Sequence, residues 1–392
     1  MKILFIFFTL FSFTFAATEL KIYIFSVGGA DSQLVLFPSG YSILIDAGEP
    51  AGSEGTVGEE GVNGKYLANR LYSILGKKKI DVFVLSHFHF DHSGGYGQGG
   101  IWYLIEKAGF TFTKFYHRSV GTFKGSSLSS CSRDSISWNI IGSRDSYVDK
   151  FVCYATATTA QTKLSKIGTI AQRCNKKQIV PPDEGAEIDF LIRDAYGAVD
   201  TDTGKKLNRN SMKDEHPVNE NTFSMCMRIV YGKFVYATCG DLPGRQTAIT
   251  ETTTSRYHDM ETLIAPMMGE VDLYKVNHHG TKWATNQVWA NTLKPTVSVV
   301  SCGDGSTTHP SSSAMKYLTN VKSQVYTTGL CYDGGGSSYY KTLIRMGDDV
   351  IVTVPKDGTT FTVEGSKGQN KATYTIKQSK TAAVKCYGLE NV

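Results

Sequence analysis

Apolar residues along this chain fall mostly into short runs. Ile22–Val27, Leu34–Phe37 and Ser42–Ile45 are β-rich and bounded by Gly, Pro or Asp, which predicts a meander at the start of a sheet. Residues 64–76 instead space Tyr66, Leu67, Leu71, Ile74 and Leu75 at helical intervals. The apolar run Ile80–Leu85 predicts a strand covered on both faces. A helix over Tyr103–Ala108 and a strand over Phe110–Tyr116 follow. Periodicity is then lost over about residues 118–180, a stretch rich in Ser, Thr, Lys and Cys that reads as an insertion tied by Cys131, Cys153 and Cys174.

Order resumes at Ile188–Ile192. Residues 222–231 and 234–239 predict a hairpin turning at Gly232-Lys233, a Gly-X pair suited to a two-residue turn. A helix near 258–265, a strand over Leu273–Asn277, a helix over Gln287–Leu293 and a strand over Val297–Val300 come next. A helix near 313–321 and a strand over Val325–Thr327 precede a β-branched tail with runs at Val350–Val354, Thr360–Val363 and Thr373–Ile376. The tail either finishes the sheet or forms an appendage. Strands that alternate with helices, together with hairpins, predict a layered α/β sandwich, and no P-loop is present.

Composition adds the compartment. Met1-Lys2, an apolar stretch from Ile3 to Phe15, then Ala16 and Ala17 have the form of a secretory signal. The stretch is shorter than the roughly 20 residues a membrane span needs, so residues 1–17 are expected to be removed and the mature chain to lack a span. Eight cysteines without a Cys-x-x-Cys pair favour disulfides in an oxidising, secreted setting, and the hairpin register sets Cys226 opposite Cys239. Lys plus Arg exceeds Asp plus Glu by only 41 to 36, with the charges interspersed. Net charge therefore gives no support to tight nucleic-acid binding, although a basic groove could be assembled from Arg118, Lys124, Lys282 and Lys294.

The chemistry concentrates in Ser86-His87-Phe88-His89-Phe90-Asp91-His92-Ser93-Gly94-Gly95, directly after the buried strand. If the chain stays extended there, His87 and His89 point the same way, while Asp91 and His92 turn into a second position at the start of a helix. Imidazoles with a carboxylate suit zinc or a similar cation. Two more strands end in candidate ligands, Phe234–Cys239 in Gly240-Asp241 and Leu273–Asn277 in His278-His279-Gly280. Sheets covered on both faces carry their functional groups at strand ends, so these segments are expected to meet at one edge.

His87-x-His89-x-Asp91-His92, Gly240-Asp241 and His278-His279-Gly280 resemble the metallo-β-lactamase fold superfamily. The branch with His-His-Gly that they look most like is that of ComEC-type competence proteins and secreted phosphorylcholine esterases. Phe25–Asp31, Leu44–Gly48, Val300–Gly303, His309-Pro310 and Val325–Gly329 extend the likeness over about residues 20–345. The resemblance implies a four-layer αββα sandwich over residues 18–345, with the insertion at about 118–180 and a β-rich extension over 346–392. It implies one or two Zn²⁺ ions, with His87 and His89 on one, Asp91, His92 and a His of the 278–279 pair on the other, and Asp241 between them. Gly280 favours His279 as the ligand and His278 as the group touching substrate. Asp46 is implied as a support behind the ligands, and His309 as a substrate-binding or proton-transfer group. The usual third His of the first site is replaced by Asn221, a poor zinc ligand, so that site would be completed by water, His216 or His117.

Three functions follow from such a site. The first is hydrolysis of phosphate esters, as a phosphodiesterase or nuclease acting on a small-molecule or phosphodiester substrate, with Asp91 also handling the proton of the nucleophile. The second is hydrolysis of a lactone, amide or thioester. The third is metal binding without turnover, motivated by Asn221. No Gly-x-Ser-x-Gly elbow points to a serine hydrolase.

Overall fold

Parallel strands cannot be joined by a tight turn, so a chain that alternates strands with helices must lay the helices over its sheets. In the computed structural model this gives a mixed α/β fold with two large sheets. The structure describes residues 19–50, 62–95, 99–119, 122–125, 130–135, 151, 153, 164, 168–195, 218–248, 250, 256–304, 306–332, 336–356, 358–381 and 383–386. The signal-like stretch at residues 1–17, His216 and most of the expected insertion lie outside the described residues. No helix among the described residues is long and apolar enough to cross a membrane.

The first sheet contains β1 (Glu19–Ile24), β2 (Ser32–Leu36), β3 (Ser42–Ala47), β4 (Lys79–Val84) and β5 (Thr111–His117) in that spatial order. Two short strands of the insertion, β6 (Thr122–Lys124) and β7 (Ser132–Ser135), pair only with each other, whereas β8 (Gly168–Ile170) extends the first sheet beside β5. The second sheet contains β9 (Ala186–Ile192), β10 (Cys226–Tyr231), β11 (Phe234–Thr238), β12 (Leu273–Lys275), β13 (Val297–Val300), β14 (Gln324–Thr327) and β15 (Ile344–Arg345). β10 and β11 form the expected hairpin, with Tyr231 opposite Phe234. From β11 to β15 the pairings are parallel, as they are from β3 through β5 to β8.

Strand alternation divides the core. Ile22, Ile24, Ile43, Ile45, Val82 and Val84 of the first sheet join Phe234, Tyr236, Leu273, Val297 and Val299 of the second in a cluster that includes no helix residue. Their neighbours on the opposite strand faces, among them Leu44, Phe83, Val235 and Ala237, pack instead with helices. Those helices are α1 (Val62–Leu75) and α3 (Ile101–Glu106) on the first sheet's side, and α4 (Glu261–Met268), α5 (Gln287–Leu293) and α6 (Ser312–Asn320) between strands of the second. A four-residue turn of helix, α2 (Phe90–Ser93), follows β4. Each fully buried Ile, Leu or Phe contributes about 1.5–3 kcal/mol, so both sets of faces are strongly specified.

Of the two positions open to the β-rich tail, it takes the one inside the sheet. β16 (Val350–Pro355) pairs antiparallel with β1 over Glu19–Ile24, and β17 (Thr360–Gly365) and β18 (Ala372–Thr375) continue outward. A boundary at residue 346 would cut this sheet, because β1 has only β2 on its other side. The join is fixed by the buried Asp349 carboxylate, which accepts from Ser26 N at 2.8 Å, Tyr66 Oη at 2.5 Å and Arg70 Nε at 2.8 Å.

All eight cysteines are paired, as Cys131–Cys153, Cys174–Cys386, Cys226–Cys239 and Cys302–Cys331. The expected hairpin pair is present. Cys174 differs from expectation, since it ties the end of the insertion to the C-terminal tail rather than closing the insertion on itself.

Replacement of Asp349 by Ala strands the Arg70 guanidinium, the Tyr66 hydroxyl and a backbone N–H. It is expected to lower the free energy of unfolding by about 2–4 kcal/mol, read from urea denaturation.

Candidate metal centre

The strand exits converge. Asp46 lies at the end of β3, Ser86–His92 follows β4, Asp241 follows β11, His278 and His279 follow β12, and Ser301 follows β13, all at the carboxyl ends of strands that run parallel to at least one neighbour. Two glycines permit the approach. A Cβ on Gly48 would lie 1.7 Å from the Asp91 carbonyl oxygen, and one on Gly240, whose φ is +54°, would meet Ser86 Oγ at 2.4 Å.

Asp241 stands between two groups of imidazoles. Its Oδ1 lies 3.0 Å from His92 Nε2 and 3.6 Å from His279 Nε2, while Oδ2 lies 3.6 Å from His278 Nε2 and 4.0 Å from His87 Nε2. His89 Nδ1 is 3.1 Å from His87 Nε2, near the ligand spacing of a tetrahedral ion with Zn–N bonds of about 2.0–2.1 Å. Asp91 Oδ2 is 3.4 Å from His279 Nε2. Two sets could hold a cation, His87, His89 and Asp241 in one, and Asp31, His92, Asp241 and His279 in the other.

The ring orientations follow from what stands behind each histidine. Ser86 Oγ donates to Asp46 Oδ2 at 2.7 Å, so the 3.1 Å contact between Ser86 Oγ and His87 Nδ1 has the ring as donor. His92 Nδ1 donates to Asp46 Oδ2 at 2.8 Å, and His279 Nδ1 to the Ser301 carbonyl at 3.0 Å. With Nδ1 engaged in all three rings, Nε2 is the atom turned inward, where it can bind a metal in place of a proton. His92 Nε2, His279 Nε2 and Asp241 Oδ1 are buried without a hydrogen-bond partner among the described residues. Buried polar atoms left in this state are costly, and a shared cation satisfies all three at once.

The charges agree with the geometry. Burial, joined by the neighbouring His92 and His89, holds the His87 pKa well below the usual imidazole value. Burial opposes ionisation of Asp241, but His92, His278 and His279 overcome it and keep the carboxyl well below its ordinary range. Burial likewise opposes charge on His92, yet the flanking Asp241 and Asp46 raise its pKa well above 6.5. The space between these carboxylates selects a positive charge. The donor set, ionised carboxylates and imidazoles whose Nε2 a cation would hold in place of a proton, fits zinc.

Several supporting groups escaped the sequence reading. Asp31, quoted there only within a matching motif, lies fully buried with Lys275 Nζ 2.8 Å from its carboxylate. A lysine within the apolar strand Leu273–Asn277 was the available signal, since a buried ammonium requires a carboxylate. Glu261, buried at the start of α4, accepts from Asn277 Nδ2 at 2.8 Å, Thr285 N at 2.7 Å and Asn286 N at 2.7 Å. It braces the turn in which His278 and His279 take φ of 49° and 50°, and burial pushes its own carboxyl up to about 8. That left-handed turn is also why β12 stops at Lys275 instead of running on to Asn277.

Arg118 is not available to a basic groove. Its guanidinium is fully buried between the rings of Phe88 and Phe223, at 5.1 and 4.9 Å, and binds Glu220 with Nε at 2.9 Å and Nη2 at 2.5 Å. Glu220 Oε1 also accepts from Phe88 N at 3.0 Å, which links the His87–His89 segment to the turn carrying Asn221. Lys294 is paired with Glu270 at 2.9 Å. Asn221 Nδ2 lies 3.0 Å from His278 Nε2, so this amide contacts a ring rather than replacing one. His117 is not drawn into either ligand set. It is buried beside Phe115, its Nδ1 donates to the Arg118 carbonyl at 2.7 Å, and burial lowers its pKa to about 4.

His309 is half-buried in the wall of a cavity of about 750 Å³ that opens onto Asp91, His278 and His279, with Gly28, Gly29 and Gly303 also in the wall. Substrate can reach the cluster there.

No model of a known protein family matches the chain, and no curated protein matches it. Three solved structures show partial likeness. One, a Parabacteroides distasonis ATCC 8503 protein named provisionally as a metal-dependent hydrolase, has a TM-score of 0.37 and 10% identity, with 79% of this chain and 93% of that chain covered. A diphosphatase of the PhnP family has a TM-score of 0.37 and 11% identity, over 86% of this chain and 98% of its own. Unliganded yeast PDE1 has a TM-score of 0.35 and 10% identity, over 83% and 92%. At these TM-scores the chemistry must be drawn from this chain's own side chains.

Asp46→Asn leaves the fold of β3 in place but loosens His92 and Ser86. It is expected to weaken zinc binding by about 10–100-fold in a competitive chelator titration. His117 supplies a pH signature of stability. Between pH 6.5 and about 4 the unfolded chain holds a proton on this ring that the native chain refuses, so stability falls as pH falls through that window. Between pH 7 and 4.5 the wild type is expected to lose about 2 kcal/mol more than His117→Gln in urea denaturation.

Proposed function

We propose that this protein is an exported, zinc-dependent hydrolase of the metallo-β-lactamase superfamily, of αββα layering and ComEC-like type, that cleaves phosphodiesters. The observation that carries the reading is the Asp241 carboxylate, with one oxygen toward His92 and His279 and the other toward His87 and His278. His87, His89 and Asp241 would hold one ion, and Asp91, His92, His279 and Asp241 a second. What zinc supplies in such a site is water acidified to a pKa of about 7 and a polarised phosphoryl group.

The chain's own residues do the rest. Asp46, Ser86 and the Ser301 carbonyl fix the imidazole tautomers, so the ligands meet a substrate without reorganising. Asp91 borders the cavity as well as the cluster, which suits it to orient a nucleophile's proton. His309, across the same cavity, suits contact with the ester group that leaves. The Asp31–Lys275 pair keeps a second carboxylate close to His92 while cancelling its charge. Four disulfides with no cysteine left free suit an oxidising compartment, in agreement with a removed signal at residues 1–17.

The purified mature chain is expected to bind zinc and to turn over bis-p-nitrophenyl phosphate but neither a lactone nor a β-lactam. Chelation should abolish that turnover, and Asp241→Asn should reduce it on the order of 100-fold or more. Turnover of the carboxylic substrates alone, or tight zinc without turnover of any of the three, would overturn the proposal.

A further inference from the structure

A run of partly exposed rings leads away from Asp241. His278 Nε2 is 3.6 Å from Asp241 Oδ2, and the Tyr257 ring lies 5.8 Å from the His278 ring. Trp283 follows at 5.3 Å from Tyr257, with 32° between the ring planes. Lys282 Nζ sits 5.1 Å over Trp283. Tyr257, His278 and Trp283 are half-buried and Lys282 is exposed. Trp102 and Trp289, by contrast, are buried in the core at 1% and 0% exposure. Large rings left partly in water beside a catalytic cluster are surface that a ligand can cover.

We propose that Tyr257 and Trp283 are a stacking platform for a planar ring carried by the substrate, which makes the substrate a phosphoester of a nucleoside or a comparable aromatic alcohol. This rests on the phosphodiester reading above. Lys282 already supplies one positive charge over Trp283, so a cationic headgroup is repelled from that face while the phosphate of an aromatic ester is attracted. The described wall of the 750 Å³ cavity, which shares His278 with this run of rings, contains no Lys or Arg. A polynucleotide would need a row of cations to follow its backbone. A single phosphoester bearing one ring needs no such row. Tyr257 and Trp283 act as specificity-determining residues, since neither is among the proposed ligands.

The test measures binding apart from turnover. AMP and ribose 5-phosphate, which share the sugar phosphate but carry adenine and a hydroxyl respectively at C1′, are titrated calorimetrically into the zinc-loaded protein. AMP is expected to bind roughly tenfold tighter, Tyr257→Ala and Trp283→Ala each to remove most of that preference, and Trp283→Phe to retain it. Equal affinity of the wild type for both ligands would overturn the platform, and so would an unchanged ratio in both alanine variants. If the alanine variants fail to fold, the wild-type ratio and Trp283→Phe decide. Ribose 5-phosphate binding together with bis-p-nitrophenyl phosphate turnover, but without a ring preference, sinks the platform and leaves the hydrolase reading intact. Absence of binding by either ligand, with no phosphodiester turnover, overturns both.

Discussion

A buried carboxylate surrounded by imidazoles is tolerable only if positive charge is shared among them, and that constraint organises this molecule. Asp241 is 2% exposed and has four histidine rings within 4.0 Å. Left alone, such a cluster would cost several kcal/mol in desolvation. Everything around it restrains rings that would otherwise rotate away. Asp46 holds His92, Ser86 holds His87, the Ser301 carbonyl holds His279, and Glu261 braces the turn on which His278 and His279 sit. The candidate ligands follow strands of both sheets, so the cluster also joins the two sheets.

Much of this was legible in the chain. Local pattern predicts the helix at Gln287–Leu293 and the strand at Val297–Val300 with the bounds they have, because both are short, strongly patterned and flanked by clear stops. The candidate ligands were equally visible, since His and Asp at strand exits have few structural reasons to cluster. The supports were not. Arg118 and Glu220 are 102 positions apart, and Lys275 and Asp31 are 244 apart, and nothing local says that a charged residue will be buried against a partner so distant. For the same reason Arg118 read as a surface cation. A charged side chain in a sequence looks solvated unless its surroundings are unusually apolar, as those of Lys275 are.

The Arg118–Glu220 pair shows how a structural device shapes a functional one. The guanidinium lies between two aromatic rings, and its carboxylate partner also accepts from Phe88 N, between two candidate ligands. A buried ion pair of this kind adds little net stability compared with apolar packing, but it tolerates only one arrangement of the segments it joins. Here those segments are the His87–His89 extension and the turn with Asn221. Rigidity at the centre is obtained from charge burial one layer behind it.

The place of β16 beside β1 has a consequence for biosynthesis. β1 is the first described strand to be made, yet one of its two neighbours, Val350–Pro355, is among the last. Until that late segment emerges, β1 carries an unsatisfied hydrogen-bonding edge, and Cys174 must wait still longer for Cys386. Nascent chains therefore pass through a long interval as incomplete sheets, with sticky edges and unpaired thiols. Closure of the Cys174–Cys386 bridge therefore has to come after the last strands of the first sheet are made, under conditions that oxidise thiols.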